Sequence, residues 1–188
     1  MNTGRCHDRS GRRRFFAGAL IVIGLICSAF AMGHAQQVPE AVSWNAWQFL
    51  MGEWIGEGGG TPGQGAGGFT FSLDLQNTIL VRRNSAIYPA ASGRPAYTHD
   101  DLMVIYYEKG IPRAMYFDNE RHIVHYTVVF AGDSTSVTFL SDQDASTSRY
   151  RLTYTKQGEG KLGIVFDIAA PDKPDAFIHY IEATARKK

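Results

Sequence analysis

Seven consecutive residues, Phe69-Thr70-Phe71-Ser72-Leu73-Asp74-Leu75, alternate apolar and polar without a break. That period belongs to a strand with one buried face, because successive side chains point to opposite sides. Nine further short runs have strand character: 52–58, 78–88, 102–108, 113–118, 122–130, 135–141, 149–155, 162–168 and 176–185. Turn chemistry separates them, among it Gln76-Asn77, Lys109-Gly110, Asp118-Asn119, Gly132-Asp133 and Pro171-Asp172-Lys173-Pro174. Parallel neighbours would need crossover helices, for which these connections are too short, so the strands form an antiparallel meander. An open meander of ten strands leaves two unpaired edges, and closure removes both. The expected fold is therefore all-β, an up-and-down antiparallel β-barrel of about ten strands. One short helix is expected over residues 39–51, where Pro39 suits a first turn and Trp44, Trp47 and Met51 recur at helical spacing. It is placed to plug one end.

The first 35 residues are of another kind. Arg5, Arg9, Arg12, Arg13 and Arg14 precede an uncharged apolar run from Ala17 to Gly33, and small residues follow at Ala31, Gly33 and Ala35. A basic start, an apolar centre and a small-residue end make an export signal, with cleavage expected after Ala35 and Ala31 as the second choice. Arg12-Arg13-Arg14-Phe15-Phe16 resembles the bacterial twin-arginine signal, although Gly11 and Ala17 depart from its flanks, and general secretion stays open. An uncleaved anchor is the competing reading, because seventeen apolar residues reach the lower limit of a membrane span. The expected organisation is a signal over 1–35, a single barrel domain over 36–188, and a periplasmic or secreted location without a stable membrane span after cleavage.

Separating the leader changes the charge balance. The whole chain has 19 Lys+Arg against 18 Asp+Glu, but residues 36–188 carry 14 against 17. Such a balance gives no reason to expect a nucleic-acid partner. Cys6 and Cys27 both lie in the leader, so thiol nucleophiles, structural disulfides and thiolate metal sites are excluded from the remainder. Four histidines stay with the barrel: His99, His122, His125 and His179.

The stretch Gly52-Glu53-Trp54-Ile55-Gly56-Glu57-Gly58, following a short helix, resembles the first strand of the calycin group of lipocalins and fatty-acid-binding proteins, and its longer form is similar to the haem-binding nitrobindin branch. Tyr180-Ile181-Glu182-Ala183-Thr184-Ala185-Arg186-Lys187 is similar to that branch's last strand. The likeness covers the first and last strands. It implies that Trp54 closes the barrel floor with an arginine from near the chain end over its ring, Arg186 here or else Arg151. It also implies haem as a candidate cofactor, with an axial ligand early in the last strand. The branch's histidine aligns with Tyr180, and His179 lies one residue away. One step along a strand reverses the face, so a bulge must bring His179 inward, or Tyr180 ligates the iron, or no haem binds.

The remaining candidates come from the residues themselves. Arg82 and Arg83 interrupt an apolar strand, and only one faces inward; Arg83 is the expected anchor for an acidic group on an amphiphilic ligand. The expected lumen lining is Phe71, Tyr106, Tyr116, His125 and either His179 or Tyr180. His122 and His125 point oppositely on a strand, which argues against a shared metal. No nucleophile elbow or zinc-protease motif is present. An acid–base enzyme, of isomerase or hydrolase type, would use His125 with Asp118 or His99 with Asp101. The glycine-rich segment 58–68 precedes a strand and lacks lysine, so it is a loop or mouth flap rather than a phosphate cradle. The expected function is binding of a small hydrophobic or amphiphilic molecule in the lumen. A barrel enzyme, or a structural or partner-binding envelope protein, is the alternative.

Overall fold

The structure, a computed structural model, describes residues 43–57, 66–90, 93 and 95–188. Leader residues 1–35, positions 39–42 of the expected helix and most of the glycine-rich segment lie outside the described residues.

Ten strands form a closed antiparallel barrel in sequential order, with β1 hydrogen-bonded to both β2 and β10. They are β1 (Gly52–Glu57), β2 (Ala66–Asp74), β3 (Ile79–Tyr88), β4 (Tyr97–Glu108), β5 (Ile111–Asp118), β6 (Ile123–Phe130), β7 (Ser136–Ser141), β8 (Arg149–Lys156), β9 (Lys161–Ala169) and β10 (Ile178–Lys187). Each expected run becomes one strand with its ends moved by a few residues, most at the start of β4. The described part of the expected helix differs: Asn45–Trp47 form a single 3-10 turn.

That turn still seals one end. Trp47 and Leu50 are fully buried, and Trp47 meets Phe130 edge-on at 4.8 Å. The three tryptophans there bring their N–H groups to acceptors, as buried indoles must. Trp44 donates to the Asn77 carbonyl (2.8 Å), Trp47 to the Tyr107 hydroxyl (3.1 Å) and Trp54 to the Leu50 carbonyl (2.7 Å). Above this floor Phe71, Phe139, Tyr154, Leu80, Met103, Ile105 and Leu162 fill the barrel axis and have almost no exposure. The lower half is thus a packed core, as the interior of a narrow barrel should be.

Two glycines let β1 sit where it does. Gly52 opens the strand at φ +107°, a conformation open to glycine at little cost. Gly68 on β2 faces the β1 backbone so closely that a Cβ would stand 2.5 Å from the Trp54 carbonyl oxygen. Gly68→Ala is therefore expected to cost about 2 kcal/mol or more of stability, read as a lower midpoint in chemical denaturation, because the β1–β2 pairing must move.

Candidate functional site

Strand parity assigns the lumen. On β3 the inward set is Leu80, Arg82 and Asn84; on β4 it is His99, Asp101, Met103 and Ile105; on β5 it is Ala114, Tyr116 and Asp118. The upper ends of these three strands make a polar wall. Arg82 donates through Nη1 to Asp101 Oδ1, and Asn84 donates to Asp101 Oδ2 at 2.8 Å. The two charged side chains are 10% and 4% exposed, so the pair is buried and each member neutralises the other. Burial alone would lower the Arg82 pKa, but Asp101 and the neighbouring tyrosines raise it, and the guanidinium stays charged.

A hydrogen-bonded chain runs along the rim from this pair. His99 Nδ1 lies 3.2 Å from Glu120 Oε1, and its Nε2 lies 3.0 Å from the Tyr116 hydroxyl and 3.5 Å from Asp101 Oδ2. Tyr116 donates onward to Asp118 at 3.3 Å. Asp118 also accepts from the His122 backbone (2.9 Å), the Glu120 backbone (3.0 Å) and His122 Nδ1 (2.8 Å). Contact with Asp101, helped by Glu120, raises the His99 pKa against the opposing effect of burial. Burial raises the Tyr116 pKa far beyond the ordinary phenol, so it remains a neutral donor. At Asp118 the donors outweigh burial and lower the pKa. With both ring nitrogens of His99 engaged, the chain holds charge and geometry; moving a proton to a ligand would break one of its bonds.

Opposite this wall in the closed strand order stand β8, β9 and β10. Their upper inward residues are aromatic and aliphatic. Tyr150 stacks on Phe166 at 5.9 Å, and Tyr180 meets Phe166 edge-on at 6.2 Å. Ile178 and Tyr180 are 74% and 67% exposed, and Tyr150, Ile164 and Phe166 are half-buried, in contrast to the sealed lower half. The upper lumen therefore has one polar and one apolar wall. A recess of about 410 Å³ borders the polar wall at the upper ends of β3–β5, touching Asn84, Asp101 and Asp118 together with outward-facing Arg83 and Phe117. A second, of about 380 Å³, lies at the floor between Trp54 and the 158–161 turn.

The sequence candidates divide across this arrangement. Phe71 faces inward but is sealed in the lower core, and Tyr116 stands in the polar wall. Trp54 is buried and donates to the Leu50 carbonyl. The cation over its ring is Lys187, at 5.6 Å, rather than Arg186, which pairs with Ile55 on the outer face. The expected inward Arg83 points out, exposed, and Arg82 takes the lumen. Tyr106 shares the outward row with Arg113, and His125 is exposed outside opposite Met115. His125 thus does not meet Asp118, whose histidine is His122; His99 and Asp101 do come together.

The register of β10 shifts between His179 and Ile181, leaving Tyr180 as the extra residue of a bulge. The bulge does not turn His179 inward. His179 Nδ1 instead donates to Asp167 on the outer face, where Arg151 also donates at 2.8 Å. The segment 170–177 closes over that pair: Phe177 lies 4.2 Å from the Arg151 guanidinium, and Asp167 is buried. Tyr180 is left at the mouth. Among the described residues no three His, Cys, Asp or Glu side chains gather to hold a metal ion. Comparison with protein-family models gives no match, nor does comparison with curated proteins.

Two measurements check the wall. Asp101→Asn leaves a buried guanidinium uncompensated and is expected to cost about 3–5 kcal/mol, whereas Arg82→Met combined with Asp101→Asn recovers most of it in a double-mutant cycle. The pH dependence follows from the two shifts. His99, raised, contributes stability fully present below its unfolded pKa and lost as pH rises through the folded value. Asp118, lowered, contributes stability present above its unfolded pKa of 3.8 and lost as pH falls through the folded value. Melting temperature should thus fall on both sides of a mildly acidic plateau bounded by the unfolded values of 3.8 and 6.5, and His99→Gln should flatten the high-pH side alone.

Proposed function

We propose that this chain is an exported binding protein that seats a small amphiphilic molecule in the cup at the open end of its barrel. The observation that carries the reading is the two-sided mouth: half-buried Tyr150 and Phe166 with exposed Tyr180, opposite the wall of Arg82, Asp101 and Tyr116, above a filled floor. Ligand seats commonly join an apolar lining to a few placed polar groups. The apolar body of the ligand lies on the aromatic wall, and its polar end meets the charged pair. The basic-then-apolar leader supports a periplasmic or secreted location for such a protein.

Haem fits this seat only through Tyr180. His179 is held by Asp167 on the outer face, and Tyr180 stands edge-on to Phe166 at the rim. The acid–base enzyme reading keeps the pair His99 and Asp101, but with neither ring nitrogen free.

The test is titration of the protein with a dansyl-labelled aliphatic amide, read by fluorescence. Saturable binding to a single site is expected, weakened about tenfold or more by Phe166→Ala, the loss of one aromatic contact surface. Absence of saturable binding sinks the reading. A parallel haemin titration separates the cofactor: a Soret band abolished by Tyr180→Phe would replace the amphiphile with haem.

A further inference from the structure

We propose that the sealed end of the barrel carries a second binding site, a lysine-lined recess that takes a small oxyanion borne on a flat apolar body. It lies at the opposite end from the mouth and does not depend on the amphiphile reading.

The chain has six lysines: Lys109, Lys156, Lys161, Lys173, Lys187 and Lys188. Four of them, Lys156, Lys161, Lys187 and Lys188, line one recess of about 380 Å³, where Glu159 is the single lining carboxylate. Residues 36–188 hold more acidic than basic side chains, so composition does not account for this gathering. Three segments meet to make it: the end of β8, the start of β9 and the end of β10. Backbone hydrogen bonds fix the meeting. The Gln157 N–H donates to the Lys161 carbonyl (2.9 Å), the Lys187 N–H to the Gly160 carbonyl (2.8 Å) and the Lys188 N–H to the Glu53 carbonyl (2.9 Å).

Two of the four ammonium groups are already matched. Lys188 Nζ lies 2.9 Å from Glu53, and Lys161 Nζ lies 3.8 Å from Glu57. Lys156 and Lys187 have no ion-pair partner among the described residues, and their strand positions set them apart from ordinary surface lysines. Lys156 continues the inward row of Leu152 and Tyr154 on β8, and Lys187 continues that of Ala185 on β10. Lys187 Nζ stands 5.6 Å from the Trp54 ring. Ammonium groups drawn into one recess repel each other, and more strongly beside an apolar surface than in open water. An anion between Lys156 and Lys187 relieves that repulsion. An ammonium is a compact point charge with three rotatable donors, suited to a carboxylate or a phosphate alike. The apolar body follows from the other lining residues, buried Trp54 and half-buried Phe49. A recess of this volume lies at the small end of ligand sites, so the body is compact.

The competing reading is that the lysine stems only cover Trp54 while their heads stay in water. Calorimetric titration of the full chain at low ionic strength with phenyl phosphate, benzoate, inorganic phosphate and benzyl alcohol separates the two. At least one aromatic anion is expected to bind saturably, about fivefold or more tighter than inorganic phosphate or benzyl alcohol, and the tighter of the two names the oxyanion. Lys156→Gln combined with Lys187→Gln should weaken it about tenfold or more, the size of one charged hydrogen bond. Lys109→Gln combined with Lys173→Gln removes the same charge elsewhere and should leave binding unchanged. Thermal melts verify each fold, and Lys156→Gln alone, which leaves the cation over Trp54 in place, should still weaken binding severalfold. Four results overturn the proposal: no saturable binding of either aromatic anion, benzyl alcohol or inorganic phosphate binding as tightly, equal losses in the two double variants, or a loss in Phe166→Ala, which would put the anion at the mouth.

Discussion

A guanidinium inside a ten-stranded barrel must find its counter-charge within the lumen, and Asp101 of the neighbouring strand meets Arg82 there. The pair divides the interior. Below it the axis is closed by aromatic and aliphatic side chains down to Trp47 and Leu50. Above it the inward rows of β3, β4 and β5 become polar, because a buried ion pair needs further hydrogen bonds to its remaining lone pairs and protons. Asn84 serves Asp101 directly, and His99 ties the pair to the rim through Tyr116 and Asp118. The polar wall is thus the extended solvation shell of one charged pair.

The strands and their order were legible in the sequence because alternation and turn chemistry act locally. Which face each strand turns inward was less legible, and every displaced site candidate fails by parity. Ile79-Leu80-Val81 is apolar throughout, so nothing before Arg82 and Arg83 distinguishes the two faces or tells which arginine enters the lumen. Ala183 and Ala185 alternate with residues that carry no strong preference, which left Arg186 and Lys187 equally open; pairing with β1 puts Lys187 over Trp54. In 122–130 both faces are largely apolar, and the choice of His125 over the Tyr126 row had no hydrophobic contrast to guide it. Parity is a long-range property where residues on both faces are apolar. It is set by what the neighbouring strand already buries.

The partnership of His122 and Glu120 with Asp118 is illegible in the sequence for a different reason. They sit in the turn between β5 and β6, and their roles follow from the Asp118 carboxylate folding back to cap that turn. An aspartate before a short turn is a recognisable signal for backbone capping. That the same carboxylate then receives Tyr116 from inside the barrel depends on strand register, which composition does not carry.

The bulge at Tyr180 joins the outer surface to the mouth. An extra residue in β10 leaves His179 opposite Asp167, on the outside, and restores Ile181 to the inward row opposite Phe166. Without the extra residue one face would have to change sign, and either Asp167 would lose its histidine or Ala183 and Ala185 would leave the lumen. The small residues below the bulge let β10 lie close over Leu162 and Ile164, and the large ones above it open outward with Ile178 and Tyr180. Bulges gather at barrel rims because they redirect side chains without breaking the ladder on either side. Here the redirected residue joins the apolar side of the mouth, whose polar side is built by an ion pair three and four strands away on β3 and β4. The same irregularity therefore secures the outer strap, through His179 and Asp167, and shapes the mouth, through Tyr180 and Phe166.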